Sequence, residues 1–217
     1  MRIVSFILLS LWSIPALGDT LQARFIGNAA IEITDGETTL LTDFPYTSGA
    51  FGYMKYKFEE VKPVGRVLCL ITHNHSDHWD ATLFKKTDWS LAAPLKLVRK
   101  LDPSRIVPFG PKMHFDGLEI TPIRTVHGNV NHVSYLVEWH GLRLYFTGDT
   151  EETGGVTGAG KLDALFVTPW LLERLLLRNS SMDAKKIVIY HHLEGEAVPK
   201  CAQCMTPKQG ETFPIAP

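Results

Sequence analysis

The sequence is poor in cysteine, in surplus charge of either sign and in long apolar runs. Three cysteines in 217 residues exclude a small fold stapled by several disulfides. Lysine and arginine number 22 against 23 aspartates and glutamates, so no field draws in nucleic acid or an anionic membrane, and charge implies no partner. The glycine-rich stretch 151–160 lacks the lysine–serine pair of a phosphate loop, which leaves nucleotide binding unsupported. The apolar run at 3–14 is shorter than the roughly 20 residues needed to span a bilayer.

That run fits a leader instead. Arg2 supplies a positive start, and Ala16-Leu17-Gly18 places small residues at −3 and −1 of a cleavage site. The pattern predicts a signal peptide over residues 1–18, a mature chain from Asp19 and export to a periplasm or the exterior, with no membrane association after cleavage. Removing 18 of 217 residues leaves 199, a length that suits one domain with a sizeable core.

The densest cluster of ligand-type side chains is Thr72-His73-Asn74-His75-Ser76-Asp77-His78, directly after an apolar stretch at 67–71 that reads as a buried strand. Neutral imidazole is a strong ligand for zinc-like ions, and carboxylate balances their charge. Side chains two apart on an extended segment project to the same side. His73 and His75 can therefore grip one ion while Asp77 and His78 turn toward another, which points to two metals. A solitary His-x-His is commonly a solvated pair; the full His-x-His-x-Asp-His pattern behind a strand is a metal motif in its expected context.

The hexad resembles the signature of the metallo-β-lactamase superfamily. There it is joined by a later His, an Asp after Gly and a final His. The matching residues here are His127 in Thr125-Val126-His127-Gly128, Asp149 in Thr147-Gly148-Asp149-Thr150 and His191 in Ile189-Tyr190-His191-His192. The resemblance runs from about Gly27 to His191. It implies an α/β fold over residues 19–217, an αββα sandwich of two mixed sheets with outer helices. It also implies that His73, His75 and His127 hold one metal, that Asp77, His78 and His191 hold a second, and that Asp149 bridges them. Zinc is the leading candidate, with two ions expected and iron or manganese open. Strand parity does not choose between His191 and His192; the resemblance selects His191.

The activity implied is metal-dependent hydrolysis of a small-molecule ester, lactone, thioester or phosphodiester. Two close cations lower the pKa of a shared water so that hydroxide is available near neutrality. Asp77 is read as a proton shuttle and Asp149 as the bridging group. Family members that act as β-lactamases generally lack that bridge, so antibiotic hydrolysis is not expected. The stretch Phe25-Ile26-Gly27-Asn28-Ala29-Ala30 looks most like the ascorbate-phosphate-lactonase-like branch, except that Asn28 stands where a His commonly follows the Gly. The alternative is a non-hydrolytic metalloprotein on the same fold, either a di-iron redox protein or a metal binder without turnover. Di-iron relatives usually carry Glu at the position of His75.

Elsewhere, strands are predicted at 21–25, 30–34 and 39–42, with Asp35-Gly36 as a hairpin turn, and at 90–93, 113–115, 118–126, 133–138, 142–147, 162–168 and 187–190. Helices are predicted at 80–86 with Asp80 as cap, at 95–101 and at 170–179, where leucines at helical spacing form core. Asp43 reads as a turn or supporting residue rather than a ligand. The stretch 43–63 has no periodicity but holds Phe44, Tyr46, Phe51, Tyr53, Tyr56 and Phe58; it is either a loop packing its rings onto the domain or a substrate-facing flap. The segment 151–160 is expected to be a mobile loop. His114 and His140 read as structural or solvated, whereas His132 sits in a Gly/Asn-rich loop where a substrate contact is open. Cys69 reads as a buried small side chain, and Cys201 and Cys204 as a small-loop disulfide in an irregular tail.

Overall fold

A computed structural model describes residues 20–217. The predicted leader, with its cleavage point before Asp19, lies outside the described residues. Among those residues no helix is long and apolar enough to cross a membrane.

Two mixed sheets form the framework. The first runs in the order β13-β1-β2-β3-β4-β5, built from β1 (Leu21–Gly27), β2 (Ala30–Thr34), β3 (Thr38–Thr42), β4 (Arg66–Leu70), β5 (Ser90–Ala92) and the late strand β13 (Thr212–Ile215). The second runs β12-β11-β10-β9-β8-β7-β6, from β6 (Met113–Phe115), β7 (Leu118–His127), β8 (Val130–Trp139), β9 (Leu142–Phe146), β10 (Leu162–Val167), β11 (Ala184–Ile189) and β12 (Cys204–Met205). Helix α4 (Pro169–Leu177) and the short turns α1 (Ala81–Phe84), α2 (Leu95–Val98) and α3 (Gly154–Gly158) complete the set.

Alternation along the parallel strands sorts their side chains into three apolar layers. Leu68 and Leu70 of β4, Ala164 and Phe166 of β10 and Val188 of β11 fill the space between the sheets. Val67, Cys69 and Ile71 face outward onto Trp79 and Phe84, while Leu165, Val167, Ile187 and Ile189 face outward onto Leu171, Leu172 and Leu175 of α4. A strand buried on both faces reads as an unbroken apolar run, which is why residues 67–71 and 187–190 lack a polar alternation. The result is the predicted sandwich, and Cys69 lies within its buried outer layer.

Several local expectations are corrected. The helices predicted at 80–86 and 95–101 shrink to one turn each. Asp80 caps the first by accepting from Thr82 N and Leu83 N at 2.8 and 3.1 Å, and the second gives way before Asp102, which caps a separate turn at Pro103. The predicted mobile loop at 151–160 contains α3, anchored by buried Val156. There the backbone passes so close to the sheet that a Cβ on Gly155 would stand 2.2 Å from the Tyr145 hydroxyl. The tail is not irregular: Pro207 and Pro214 mask two edge strands, and Pro214 is tolerated because β13 is an outermost strand whose unpaired side needs no donor.

The largest correction concerns β7 and β8. They pair through His127↔Val130, so the turn is only Gly128-Asn129, and His132 lies in a strand opposite Thr125 rather than in a loop.

Candidate metal centre

Ligand-type residues gather where strands of both sheets end. The hexad follows β4, His127 closes β7, Asp149 follows β9 and His191 follows β11. Sheet strands fix these ends rigidly, and the following loops turn the side chains into one cleft. His191 adopts a left-handed backbone, φ 55°, as do Asp43 at 45° and Asn28 at 56°. Asn, Asp and His tolerate that region better than other side-chain-bearing residues do.

Two groups of converging ligand atoms result: His73, His75, His127 and Asp149 in one, and Asp77, His78, Asp149 and His191 in the other. His73 Nε2 lies 2.9 Å from His75 Nδ1, and His78 Nε2 lies 3.0 Å from His191 Nε2. Asp149 belongs to both groups through different oxygens. Its Oδ2 stands 3.8 Å from His73 Nε2 and 3.7 Å from His127 Nε2, while Oδ1 stands 3.1 Å from both His78 Nε2 and His191 Nε2. Asp77 Oδ2 closes the second group at 3.6 and 3.4 Å from the same two nitrogens.

The far side of each imidazole sets its tautomer. Asp43 Oδ1 accepts from Thr72 N at 2.8 Å, and Thr72 Oγ1 lies 3.0 Å from each Asp43 oxygen. With its proton on Asp43, the Thr72 hydroxyl accepts from His73 Nδ1 at 3.0 Å. Asp43 Oδ2 accepts from His78 Nδ1 at 3.0 Å. With Nδ1 engaged behind, His73 and His78 both turn Nε2 toward the cleft, the orientation that a hydrogen-bonded imidazole ligand requires. Asp43 is thus a supporting residue, as the sequence suggests.

The electrostatics call for added positive charge. Asp43, Asp77 and Asp149 are all buried. Burial alone would raise the Asp149 pKa, but His78 and His191 outweigh it and hold the carboxyl well below its usual range. For His78, burial opposes the charged form, yet Asp149 and Asp43 push its pKa well above the ordinary value. Burial and the neighbouring His78 instead drive His73 far down, so it stays neutral. Asp149 Oδ1 has no hydrogen-bonded partner despite two nitrogens at 3.1 Å, and Asp77 Oδ1 is likewise buried without one. Imidazole nitrogens and carboxylate oxygens that converge within 4.8 Å of one another in each group fit metal cations, and this His/Asp set is a metal-binding site.

His192 turns away from the centre: its Nδ1 lies 3.0 Å from Leu193 O and its ring packs 5.8 Å from that of Phe25. Asn28 also stays out of the ligand set. Its Nδ2 donates to Asp77 O at 2.6 Å and its carbonyl accepts from His191 N at 2.7 Å, so it ties the backbones of two ligand residues together. His132 is buried behind the site, where Asp149 N donates to its Nε2 at 3.0 Å, so it is no substrate contact. Burial lowers its pKa to about 3, keeping it neutral. The aromatic stretch divides in two. Phe44, Tyr46, Tyr56 and Phe58 pack onto the domain, whereas Phe51 and Tyr53 line the mouth with Trp170 and Glu151.

The family model described as the beta-lactamase superfamily domain matches residues 22–168. The chain belongs to that superfamily. The matched span carries the hexad, His127 and Asp149; His191 lies beyond it and takes its place from geometry. A UPF0173 metal-dependent hydrolase from Symbiobacterium thermophilum is 29% identical over 140 residues, spanning 60% of this chain and 60% of that relative. Among solved structures, a metallo-beta-lactamase fold protein from Bacillus subtilis superimposes with TM-score 0.63 at 13% identity, over 90% of this chain and 99% of the other. CmlA, a diiron beta-hydroxylase from Streptomyces venezuelae, superimposes with TM-score 0.54 at 15% identity, over 80% and 44%. At those identities the likeness is one of fold.

Proposed function

We propose that this superfamily member is a metal-dependent hydrolase that holds two zinc-type ions and cleaves a small-molecule ester, lactone, thioester or phosphodiester. The observation that carries the reading is the split of Asp149, one oxygen toward His73 and His127 and the other toward His78 and His191. In this reading His73, His75 and His127 hold one ion, Asp77, His78 and His191 the other, and Asp149 spans both. Bound there, the cations would acidify a water and polarise the oxygen under attack.

The chain itself supplies geometry and proton transfer. Asp43 and Thr72 lock the imidazoles behind the ligand atoms. Burial raises and the His191 hydrogen bond lowers the pKa of Asp77, with the net effect downward, so Asp77 is ionised and its carboxylate, which lines the cavity, can accept a proton from water and return it to the leaving group. In ester cleavage the water oxygen bonds to the acyl carbon, the acyl C–O bond breaks, and the departing oxygen takes that proton, giving one acid and one alcohol. The relative from Symbiobacterium, a metal-dependent hydrolase by its description, supports the reaction class.

We also propose that the protein works outside the cytoplasm. The support is the leader-type pattern ending at Gly18 together with the Cys201–Cys204 disulfide, since disulfides persist in oxidising compartments. Mass spectrometry of the native mature protein should find Asp19 first; soluble cytoplasmic protein retaining Met1 would overturn this.

Elemental analysis of protein from its native compartment, paired with turnover assays on lactones, thioesters, esters and bis-p-nitrophenyl phosphate, tests the central reading. Two equivalents of metal with turnover of at least one class are expected. Iron with oxygen-dependent oxidation and no hydrolysis would sink it.

A further inference from the structure

The ligand residues leave part of the cleft unexplained. In front of them lies a cavity of about 330 Å³ whose remaining walls are Phe51, Tyr53, Trp170 and Glu151. The Tyr53 and Trp170 rings meet the His191 ring edge-on at 4.4 and 5.1 Å, and the Phe51 ring stands edge-on 6.5 Å from that of His75. Phe51 is 71% exposed and has φ 52°, a combination with no folding rationale: a bulky side chain in left-handed backbone costs on the order of 1–3 kcal/mol, and here no burial offsets it. Such strain persists where surrounding contacts impose it. Thr47 N donates to the hexad's Ser76 O at 2.7 Å, and Ser48 Oγ lies 2.8 Å from both Tyr56 N and Tyr56 O. The loop is pinned to the metal-binding loop with its phenyl ring held over the mouth.

The charges around that mouth are equally specific. Among the described residues the cavity is lined by no lysine or arginine. Arg174 lines the adjoining cleft and is ion-paired with Glu151, so each offsets the other's charge. Arg178 lies further along the adjoining cleft, beside Glu151 and Glu152.

We propose that this mouth selects an uncharged substrate carrying an apolar group beside the scissile acyl bond, packed against Phe51, Tyr53 and Trp170, and that it discriminates against phosphodiesters and other anionic esters. The inference rests on the hydrolase reading above and narrows it. Two divalent ions would bring four positive charges, which the three buried carboxylates Asp43, Asp77 and Asp149 and the attacking hydroxide offset, so an anionic group beside the reacting centre still needs charged, commonly bidentate donors to replace its water; the aromatic walls and the ion-paired Glu151 supply none. An alkyl or aryl group, by contrast, loses only unfavourable contact with water on entering.

The test compares metal-loaded wild type with Phe51→Ala, whose exposed position keeps the fold out of question. The substrates are p-nitrophenyl acetate, butyrate and hexanoate and bis-p-nitrophenyl phosphate. In wild type kcat/KM should rise by up to about fourfold per added methylene, the scale of methylene transfer out of water. Phe51→Ala should lose about tenfold on hexanoate and under about twofold on acetate, a split that follows from the area of chain left uncovered. Binding is read separately with 2-octanone, an uncleavable ketone analogue, against dimethyl phosphate. The ketone should bind more tightly to wild type, and Phe51→Ala should lose that preference. A flat acyl series, or a phosphodiester turned over better than hexanoate, overturns the selectivity while leaving a hydrolase standing. No turnover of any ester, lactone, thioester or phosphodiester by two-metal protein overturns the hydrolase reading itself, and equal binding of ketone and phosphate diester then overturns the selectivity as well.

Discussion

Asp149 is held from behind by His132: its backbone N–H donates to His132 Nε2 at 3.0 Å. That bond forces the proton onto Nδ1, which donates to Thr125 Oγ1 at 2.8 Å; Thr125 then donates to Ser134 Oγ at 3.1 Å, and Ser134 to Thr147 O at 2.7 Å. Every donor in this buried relay has one direction. The ring also explains Gly148, where a Cβ would stand 2.4 Å from His132 Nε2. His132→Ala should cost about 1–3 kcal/mol of stability through the unpaired Asp149 N–H and weaken metal retention, read as faster loss to a chelator. Retention equal to wild type would show that Asp149 needs no such support.

Asp149→Asn removes one charge at nearly constant shape. It should fold, bind at least one metal more weakly and lower kcat by orders of magnitude, as loss of a major electrostatic element does. Metal content and kcat measured side by side decide the matter, and full two-metal loading with unchanged turnover would exclude a bridging role.

His191→Ala should drop the stoichiometry from two metals to one, whereas His192→Ala should keep two, because only His191 points at the Asp149 and Asp77 oxygens. Reversed stoichiometries would reassign the ligand.

Stripping the metal with chelator should lower the melting temperature, since a ligand that binds only the folded state adds about 2.7 kcal/mol at a hundredfold excess over Kd. For a domain of this size that corresponds to roughly 5–10 °C, restored by zinc. An unchanged melting point would mean that the buried carboxylates and imidazoles satisfy one another without metal.

How much of this was legible in the sequence depends on whether the signal was local. The hexad and the strand in front of it are contiguous, so motif and context could be read together. The division of labour between His191 and His192 was not, because both neighbours end the same strand and only the left-handed turn at His191 separates them. His132 was misplaced because Gly128 and Asn129 made a long loop look natural, while the hairpin closes in two residues. The tail misled for a different reason: its prolines argue against a strand in general, yet only Pro214 falls within one, where it is harmless on an edge, and the edge status of β13 depends on a partner almost 200 positions away.

That long-range pairing also governs the order of assembly. Leu21 pairs with Ile215, so β1 waits for a strand that comes almost 200 positions later in the chain. Until β13 arrives, one rim of β1 offers bare N–H and C=O groups to any passing chain, and closure across so much intervening polypeptide is slow. A chain shortened so as to lose β13 should therefore aggregate by strand pairing more readily than the intact one.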